Sequence, residues 1–356
     1  MTNDSAAHDP ADSEPAGSEA ARTPFDWLES TPFYQAGLQG YSDASMRIVA
    51  RRHGAPYCVT EALLDSFLLR GGKGLEEARL DPEDHPIAGQ LMGSHPEDIA
   101  AGAKVLVELG YDVVDVNIAC PVRKMRKNCR GGHLLAEPAE ATAILRAVRD
   151  AVGDVVPVTV KLRRGTDDSD EAAANFYSII EAAIELGYSS ATVHGRTVVQ
   201  KYIGPSRWSF LRDLTTRYPE FRILGSGDIF TAEDVFAMIR ETGVRGVSIA
   251  RGAIGNPWIF RDAHALLRGE EPRAPTVAEQ RAALETHCEL AMRFLGIVQG
   301  GRRMRKFGIK FSHHHPEADE VAKAFIATKT PDDWQEVIKE FYSAERPVLA
   351  KEESAK

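Results

Sequence analysis

The residues best placed for chemistry are an asparagine and a cysteine at the end of one apolar segment. Asn117 and Cys120 lie three positions apart in Asp115-Val116-Asn117-Ile118-Ala119-Cys120-Pro121, which has the pattern of a buried strand stopped by proline. The chain has four cysteines: Cys58, Cys120, Cys129 and Cys288. A cysteine is often a small buried hydrophobe, so the position of Cys120 in the fold must decide whether it takes part in chemistry.

Two runs of basic residues could contact a polyanion. The first follows the cysteine directly and comprises Arg123, Lys124, Arg126, Lys127 and Arg130. The second lies near the end of the chain and comprises Arg302, Arg303, Arg305, Lys306 and Lys310. The net charge of −9 argues against a protein that coats nucleic acid nonspecifically, because phosphate neutralisation requires an excess of Lys and Arg. Such runs are most often solvated surface, so their place in the fold decides their meaning.

Composition predicts a globular protein in a reducing compartment. The 356 residues are 43% hydrophobic and 27% charged, which is enough to bury a large core. The cysteines lack a CxxC spacing and the density of a disulfide-stapled domain. No run approaches the roughly 18 apolar residues that cross a bilayer, and no signal peptide opens the chain. We therefore expect a cytoplasmic monomer without a membrane partner or a metal site.

Short apolar segments alternate with longer amphipathic ones over much of the chain. The predicted strands are 57–60, 87–92, 113–118, 156–162, 191–194, 221–225 and 246–250, with a weaker first strand near 34–38. Helical patterns such as 99–109 and 139–152 separate them. Eight strands with intervening helices predict an α/β fold, the (β/α)₈ TIM barrel; a doubly wound sheet is the alternative, but it lacks a GxGxxG turn after the first strand.

The composition changes at both ends of this repeating pattern. Residues 1–23 are rich in Ala, Ser, Pro, Asp and Glu and predict a disordered acidic tail, and 346–356 predict a second one. The barrel is then expected to span 24–268. Helical patterns alone follow, as in 277–294 and 332–341, and predict a small helical domain at 269–345.

Several predicted strands end in polar residues. They are Gln90, Asn117, Lys161, His194, Ser226 to Asp228, and Arg251. All carboxyl ends of the strands open on one face of a barrel, so these side chains should converge on one mouth.

The strand ends also carry recognisable motifs in a fixed order. They include the cysteine segment 115–121, Thr192-Val193-His194-Gly195-Arg196-Thr197, Gly225-Ser226-Gly227-Asp228 and Arg251-Gly252-Ala253-Ile254-Gly255-Asn256-Pro257-Trp258. In order and spacing the chain resembles the flavin-dependent tRNA-dihydrouridine synthases, closest to the bacterial B-type group, from about Tyr34 to Phe341. The resemblance implies an FMN enzyme that reduces uridine in tRNA to 5,6-dihydrouridine with NADPH or NADH as the electron source.

The resemblance also implies roles for the polar strand ends. Reduced flavin would deliver hydride to uracil C6, and the thiol of Cys120, protonated at neutral pH, would give a proton to C5. FMN would be bound by Gly37, Leu38, Gln39, Gln90, Asn117, Lys161, His194, Ser226, Gly227, Asp228, Ala250 and Arg251. Lysine beside the flavin would favour its anionic reduced state, and the glycine turns would bind its phosphate.

Uracil inside folded RNA must flip out to reach a flavin, and a basic rim would hold the flanking backbone. The first basic run shares the mouth with the cysteine, and the second lies in the helical domain, which contacts tRNA in the family. We therefore expect tRNA contacts from Arg123, Lys124, Arg126, Lys127, Arg303, Arg305 and Lys306.

Two features of the sequence leave alternatives open. Gly37-Leu38-Gln39 replaces the usual Pro-Met-Ala of the family, and Cys129 adds a second thiol whose role is redox or none. An FMN oxidoreductase for a free pyrimidine-like molecule would use a similar cysteine. A noncatalytic RNA-binding flavoprotein is the third hypothesis.

Overall fold

The chain folds into a closed parallel barrel followed by helices. This computed structural model describes residues 25–122 and 130–343. The tails predicted at 1–23 and 346–356 lie outside the described residues, as do Arg123, Lys124, Arg126, Lys127 and Cys129.

The sheet has nine strands among the described residues. They are β1 (Phe33–Gln35), β2 (Cys58–Val59), β3 (Leu63–Leu64), β4 (Ile87–Met92), β5 (Val113–Ile118), β6 (Val158–Arg163), β7 (Ser190–His194), β8 (Ile223–Ser226) and β9 (Gly246–Ile249). Every pairing is parallel; β1 pairs with both β2 and β9, and β2 pairs with β4. Eight strands thus close a ring, with β3 added beside the carboxyl end of β4. The predicted (β/α)₈ barrel is confirmed.

Helices cover the barrel and make up the regular secondary structure after β9 in the part of the chain that the structure describes. They are α1 (Trp27–Ser30), α2 (Ala44–Arg52), α3 (Asp65–Leu69), α4 (Lys73–Glu77), α5 (Pro96–Glu108), α6 (Pro138–Val152), α7 (Asp170–Glu185), α8 (Trp208–Arg217), α9 (Ala232–Thr242), α10 (Trp258–Leu267), α11 (Val277–Phe311), α12 (Ala318–Ala327) and α13 (Pro331–Phe341). Within the described ranges, none of them is long and apolar enough to cross a bilayer.

Local sequence signals set the helix ends. Thr231 opens α9 with a capping box to Asp234, and Thr276 does the same for α11 with Glu279. Gly243 closes α9 in the left-handed conformation that glycine adopts at little cost. These caps fix where α9 begins and ends and where α11 begins.

Side chains alternate along β5 between an apolar and a polar environment. Val114, Val116 and Ile118 pack into the hydrophobic core that the strands share with the surrounding helices. Asp115 and Asn117 line the barrel interior instead. This period of two carries polar residues up the inside of the barrel toward its mouth.

The helical part differs from its prediction at one point. The pattern predicted a helix ending at Phe294, but α11 resumes after a break at Gly296, where φ is 73°, and continues to Phe311. The resumed half carries the second basic run and packs closely on α12, because Gly308 lies against the ring of Phe325.

Gly308→Ala is expected to lower the free energy of unfolding by about 1–3 kcal/mol, because the added methyl overpacks this contact. A Cβ at position 308 would lie 2.5 Å from the Phe325 ring. Gly301→Ala is the matched control on the same helix, since its Cβ would meet nothing closer than 3.9 Å. Urea unfolding compares the two variants, and equal losses would contradict this packing.

Candidate active site

A cavity of about 1660 Å³ opens at the carboxyl ends of the barrel strands. The strand-end residues singled out from the sequence all line it: Gly37, Leu38, Gln39, Gln90, Asn117, Cys120, Lys161, His194, Ser226, Gly227, Asp228, Ala250 and Arg251. The predicted convergence on one mouth is therefore present, while the ligand of each residue stays a prediction.

The turn that presents Cys120 is held on three sides. Asn117 Oδ1 accepts hydrogen bonds from the backbone N–H groups of Ala119 and Cys120, at 3.0 and 3.1 Å. The Cys120 carbonyl accepts from Gly132 N at 3.0 Å. The Ala119 carbonyl accepts from Arg163 Nε at 2.9 Å. The half-buried Cys120 side chain thus extends from a fixed turn at the rim of the cavity.

Asn117 belongs to a buried row of hydrogen bonds across three strands. Its Nδ2 donates to Gln90 Oε1 at 2.6 Å, and Gln90 Nε2 donates to Asp115 Oδ2 at 2.8 Å. Thr159 Oγ1 donates to the other oxygen of Asp115 at 2.6 Å. Burial raises the pKa of Asp115, while these two hydrogen bonds and the Lys161 cation oppose that rise.

Lys161 carries a buried ammonium into the cavity. Its Nζ has no hydrogen-bond partner among the described residues. Burial lowers the pKa of Lys161 to about 8; the charge of Asp115 opposes this and Arg163 adds to it. Because an unpaired buried cation is costly, this position is suited to a ligand that brings an acceptor or a negative charge.

His194 ends β7 beside further cations. Burial lowers its pKa well below the usual value, and the charges of Arg163, Lys161, Arg196 and Arg251 add to the effect. The imidazole is therefore neutral at pH 7 and can donate one hydrogen bond and accept another.

Two turns after the last strands are tied together through Asp228. Its carboxylate accepts from Arg196 Nη2 at 2.6 and 2.7 Å, from the Ser206 N–H at 2.7 Å and from Arg251 Nη2 at 3.2 Å. Burial disfavours the charged carboxylate, but the hydrogen bonds from Ser206 and Arg196 outweigh it and hold the pKa of Asp228 below its usual range. Asp228 therefore fixes the guanidinium of Arg251.

Two glycines let the backbone approach closely at the cavity wall. A Cβ at Gly37 would lie 2.2 Å from the Thr60 carbonyl oxygen, and one at Gly227 would lie 2.4 Å from Ser206 Oγ. Gly227 also has φ of 117°, which side-chain-bearing residues rarely adopt. Glycine at these positions is a steric requirement of the site.

Arg163 is a site residue that the sequence reasoning missed. It is buried and donates to the carbonyls of Ala119, Thr197 and Lys201 at 2.8 to 2.9 Å. It follows Lys161 by two positions, so the period of a strand places both on the same face. That spacing was the signal that could have found it.

The second basic run meets the loop that follows β1. Lys306 Nζ donates to the Gly40 carbonyl at 2.7 Å, and Arg303 Nη1 lies 3.6 Å from Glu61 Oε1. Glu61 in turn accepts from Gly40 N at 2.7 Å and from Gln39 Nε2 at 2.9 Å. Arg303 lines the cavity. Arg303 and Lys306 therefore hold the loop that contains Gln39 and Gly40, called the Gln39 loop below, against the cavity.

Arg305 lies apart from that contact. Its side chain is exposed, and Nη2 donates to the Ile326 carbonyl at the end of α12. Arg303, Arg305 and Lys306 are the predicted RNA contacts that the structure describes, and of these three Arg305 is the exposed one.

Comparison with known proteins identifies relatives over most of the chain. Residues 34–345 match the family described as dihydrouridine synthase (Dus). The chain is 32% identical to tRNA-dihydrouridine synthase B of Pseudomonas putida, over 89% of this chain and 93% of that one. It is 30% identical to tRNA-dihydrouridine synthase B of Xanthomonas axonopodis pv. citri, over 87% and 92%. A probable tRNA-dihydrouridine synthase 1 of Synechocystis sp. is 33% identical over 74% and 73%.

Solved structures with a similar barrel are more distant. Histamine dehydrogenase from Rhizobium sp. 4-9 has a TM-score of 0.51 and 14% identity, over 73% of this chain and 49% of that one. The 6-hydroxypseudooxynicotine amine oxidase of Pseudomonas geniculata N1 has a TM-score of 0.52 and 14% identity, over 71% and 50%. At this identity the likeness concerns the fold.

Lys161→Met is expected to stabilise the ligand-free protein by about 1–3 kcal/mol at pH 7, because it removes a buried cation. The unfolded chain holds this proton up to a pKa of about 10.4, whereas the folded one releases it near pH 8. The free energy of unfolding of the wild type therefore increases relative to that of the variant as pH rises from 8 to about 10.5. Urea unfolding at pH 7 and pH 10 measures the difference, and a pH-independent difference would contradict the assignment.

Proposed function

Because this chain belongs to the dihydrouridine synthase family, we propose that it reduces uridine in tRNA to 5,6-dihydrouridine. The observation that carries the proposal is the placement of Cys120. Its thiol stands on a fixed turn at the rim of the cavity, within the residues that match the family. The cavity also exceeds the roughly 300–1,000 Å³ of an ordinary small-molecule pocket, which favours a cofactor together with a base of a larger substrate.

The residues around this cavity fit FMN. The orphaned Lys161 Nζ would meet the N1 and O2 edge of the flavin, and Gln90, Asn117 and His194 would offer hydrogen bonds to the ring. Gly37 with Leu38 and Gln39 would form the wall beside it. When bound and reduced by NADPH or NADH, FMN supplies the hydride for uracil C6.

The phosphate of FMN fits the turns after β8 and β9. Ser226 and Gly227 form one turn and Ala250 and Arg251 the other. Barrels commonly bind phosphate at these two turns, where glycine permits close backbone contact. Asp228 acts there by holding Arg251 rather than by facing the phosphate, since like charges repel.

Cys120 acts as the proton donor. Hydride addition at C6 leaves negative charge on the uracil, and the Cys120 S–H gives its proton to C5, so that a C–H bond forms and a thiolate remains. Solvent then returns the proton to the thiolate. Asn117 keeps the Cys120 turn in place, and the neutral His194 can hydrogen-bond without adding a further positive charge.

The substrate base must leave the folded RNA to enter this cavity. We propose that Arg123, Lys124, Arg126 and Lys127, which follow Cys120 in the chain, hold the flanking phosphates. Arg305 would add a contact from the helical domain at 269–345. Arg303 and Lys306 would support RNA binding mainly by holding the Gln39 loop, because both already contact it or its partner Glu61.

We further propose that the protein works as a cytoplasmic monomer. A reducing compartment keeps the Cys120 thiol available as an acid, and tRNA is present there.

Cys120→Ala should lower dihydrouridine formation about 10²- to 10⁴-fold, because the proton donor is removed. The variant should keep the flavin absorbance, since Cys120 is placed toward the substrate. Purified protein, FMN, NADPH and tRNA are combined, and dihydrouridine is counted by nucleoside mass spectrometry. Cys288→Ala, which removes a buried thiol on α11, is the control and should keep activity. Undiminished product from Cys120→Ala would refute its role, and failure of the wild type to take up FMN would refute the flavoenzyme proposal.

Replacing Arg126 and Lys127 with Gln should weaken tRNA binding. The slope of log affinity against log salt should fall by about one for each phosphate that the variant no longer neutralises. Lys104→Gln with Arg146→Gln is the matched double variant, since these exposed cations lie on α5 and α6 around the barrel. Filter binding at several salt concentrations measures both. Equal slopes for the two double variants would place the RNA elsewhere, and binding without salt dependence would favour a free small-molecule substrate.

A further inference from the structure

The buried hydrogen bonds beneath Cys120 follow the register of three neighbouring strands. Gln90 on β4 lies beside Asp115 on β5, and Asp115 lies beside Thr159 on β6. Asn117 is two positions further along β5 and reaches the same Gln90. All four side chains are buried, so their partners are set by the fold and not by solvent.

The hydrogen bonds of this row run in one direction, in the sense that each amide has a fixed donor end and a fixed acceptor end. A carboxylate only accepts hydrogen bonds, whereas an amide can turn over and exchange its donor and acceptor ends. Asp115 accepts from Gln90 Nε2, which turns Gln90 Oε1 toward Asn117. Asn117 must then present Nδ2 to Gln90, which leaves its Oδ1 for the N–H of Cys120. The carboxylate thus decides the orientation of two amides and, through them, the anchor of the cysteine turn.

We propose that Asp115 is the positioning residue for Cys120, because its carboxylate sets the direction of the Gln90 and Asn117 amides that anchor the cysteine turn. The inference rests on the proposed function in that Cys120 is the residue to be placed. Asp115 itself stays below the site and touches no substrate.

Reversed amides would have a specific consequence. Asn117 would point Nδ2 at the backbone N–H groups of Ala119 and Cys120, so that donors would face donors. The turn would lose both hydrogen bonds while the strands beneath it kept theirs. The thiol of Cys120 would then become mobile and more accessible, in an otherwise folded barrel.

The test exchanges the amide and the carboxylate between positions 90 and 115. Asp115→Asn alone removes the group that can only accept, so Gln90 is free to turn over, present Oε1 to the new amide and turn Nε2 toward Asn117. In the double variant Gln90→Glu with Asp115→Asn, the new amide at position 115 donates to the new carboxylate at position 90. The other oxygen of that carboxylate still accepts from Asn117, so the direction at Asn117 and the charge of the pair are both restored. Asp115→Leu removes the acceptor and keeps the number and branching of the side-chain heavy atoms.

The readout is the alkylation rate of Cys120 by iodoacetamide in full-length protein, followed by peptide mass spectrometry. Asp115→Asn and Asp115→Leu are expected to raise that rate about tenfold, and the exchanged pair to return it to within about threefold of wild type. The buried Cys58 and Cys288 report global unfolding in the same digests.

Rescue by the exchanged pair is the result that a role in packing alone would not produce. If the exchanged pair reacts as fast as Asp115→Asn, or fails to fold where Asp115→Asn folds, the proposal is overturned. Wild-type alkylation rates in both single variants overturn it as well. If Asp115→Leu does not fold, the comparison of Asp115→Asn with the exchanged pair still decides.

Failure of the proposed function would look different. A wild-type protein that makes no dihydrouridine, but whose Cys120 reactivity follows the exchange, would lose the enzymatic proposal and keep the positioning role. If the wild type reduces uridine in tRNA but the alkylation rate of Cys120 is the same in all variants at positions 90 and 115, the positioning role is lost and the enzymatic proposal is kept.

Discussion

The parallel register of the closed barrel is the constraint on which the site depends. Adjacent strands align Gln90 with Asp115, Asp115 with Thr159, and Asn117 with Lys161. Because side chains alternate along each strand, one face packs under the helices while the other turns inward, where β4, β5 and β6 bring Gln90, Asp115, Asn117, Thr159 and Lys161 into the interior. Buried polar groups must find partners, so the register also determines which hydrogen bonds form.

The same constraint leaves one charge without a partner. Lys161 enters the interior on the face that carries Asp115 and Thr159, yet its Nζ makes no hydrogen bond within residues 25–122 and 130–343. Nearby arginines find backbone carbonyls or the carboxylate of Asp228 instead. A barrel that gives these arginines partners and leaves the lysine facing a cavity is suited to an electron-rich ligand, whose binding would offset the cost in stability.

How much of this could be predicted from sequence depended on how local the signal was. Strand β5 was predicted with its observed ends, because an apolar run and Pro121 define it within a short segment. The two-residue β3 was missed because only its pairing with β4 defines it, and the helices α3 and α4 after it were missed because each is only five residues long. The convergence of strand ends followed from topology, but the contact of Arg303 with Glu61 joins residues far apart in the chain and has no local pattern. Arg163 had a signal in its spacing from Lys161 that was left unused.

Uridine reduction in tRNA leaves a product that nucleoside mass spectrometry can count and assign to a position. Comparing tRNA from cells with and without this protein therefore tests most directly whether Cys120 and its cavity serve RNA modification. Loss of dihydrouridine at a defined position, restored by the wild-type gene and not by one encoding Cys120→Ala, is the expected result. Identical dihydrouridine maps in the two cell lines would contradict it.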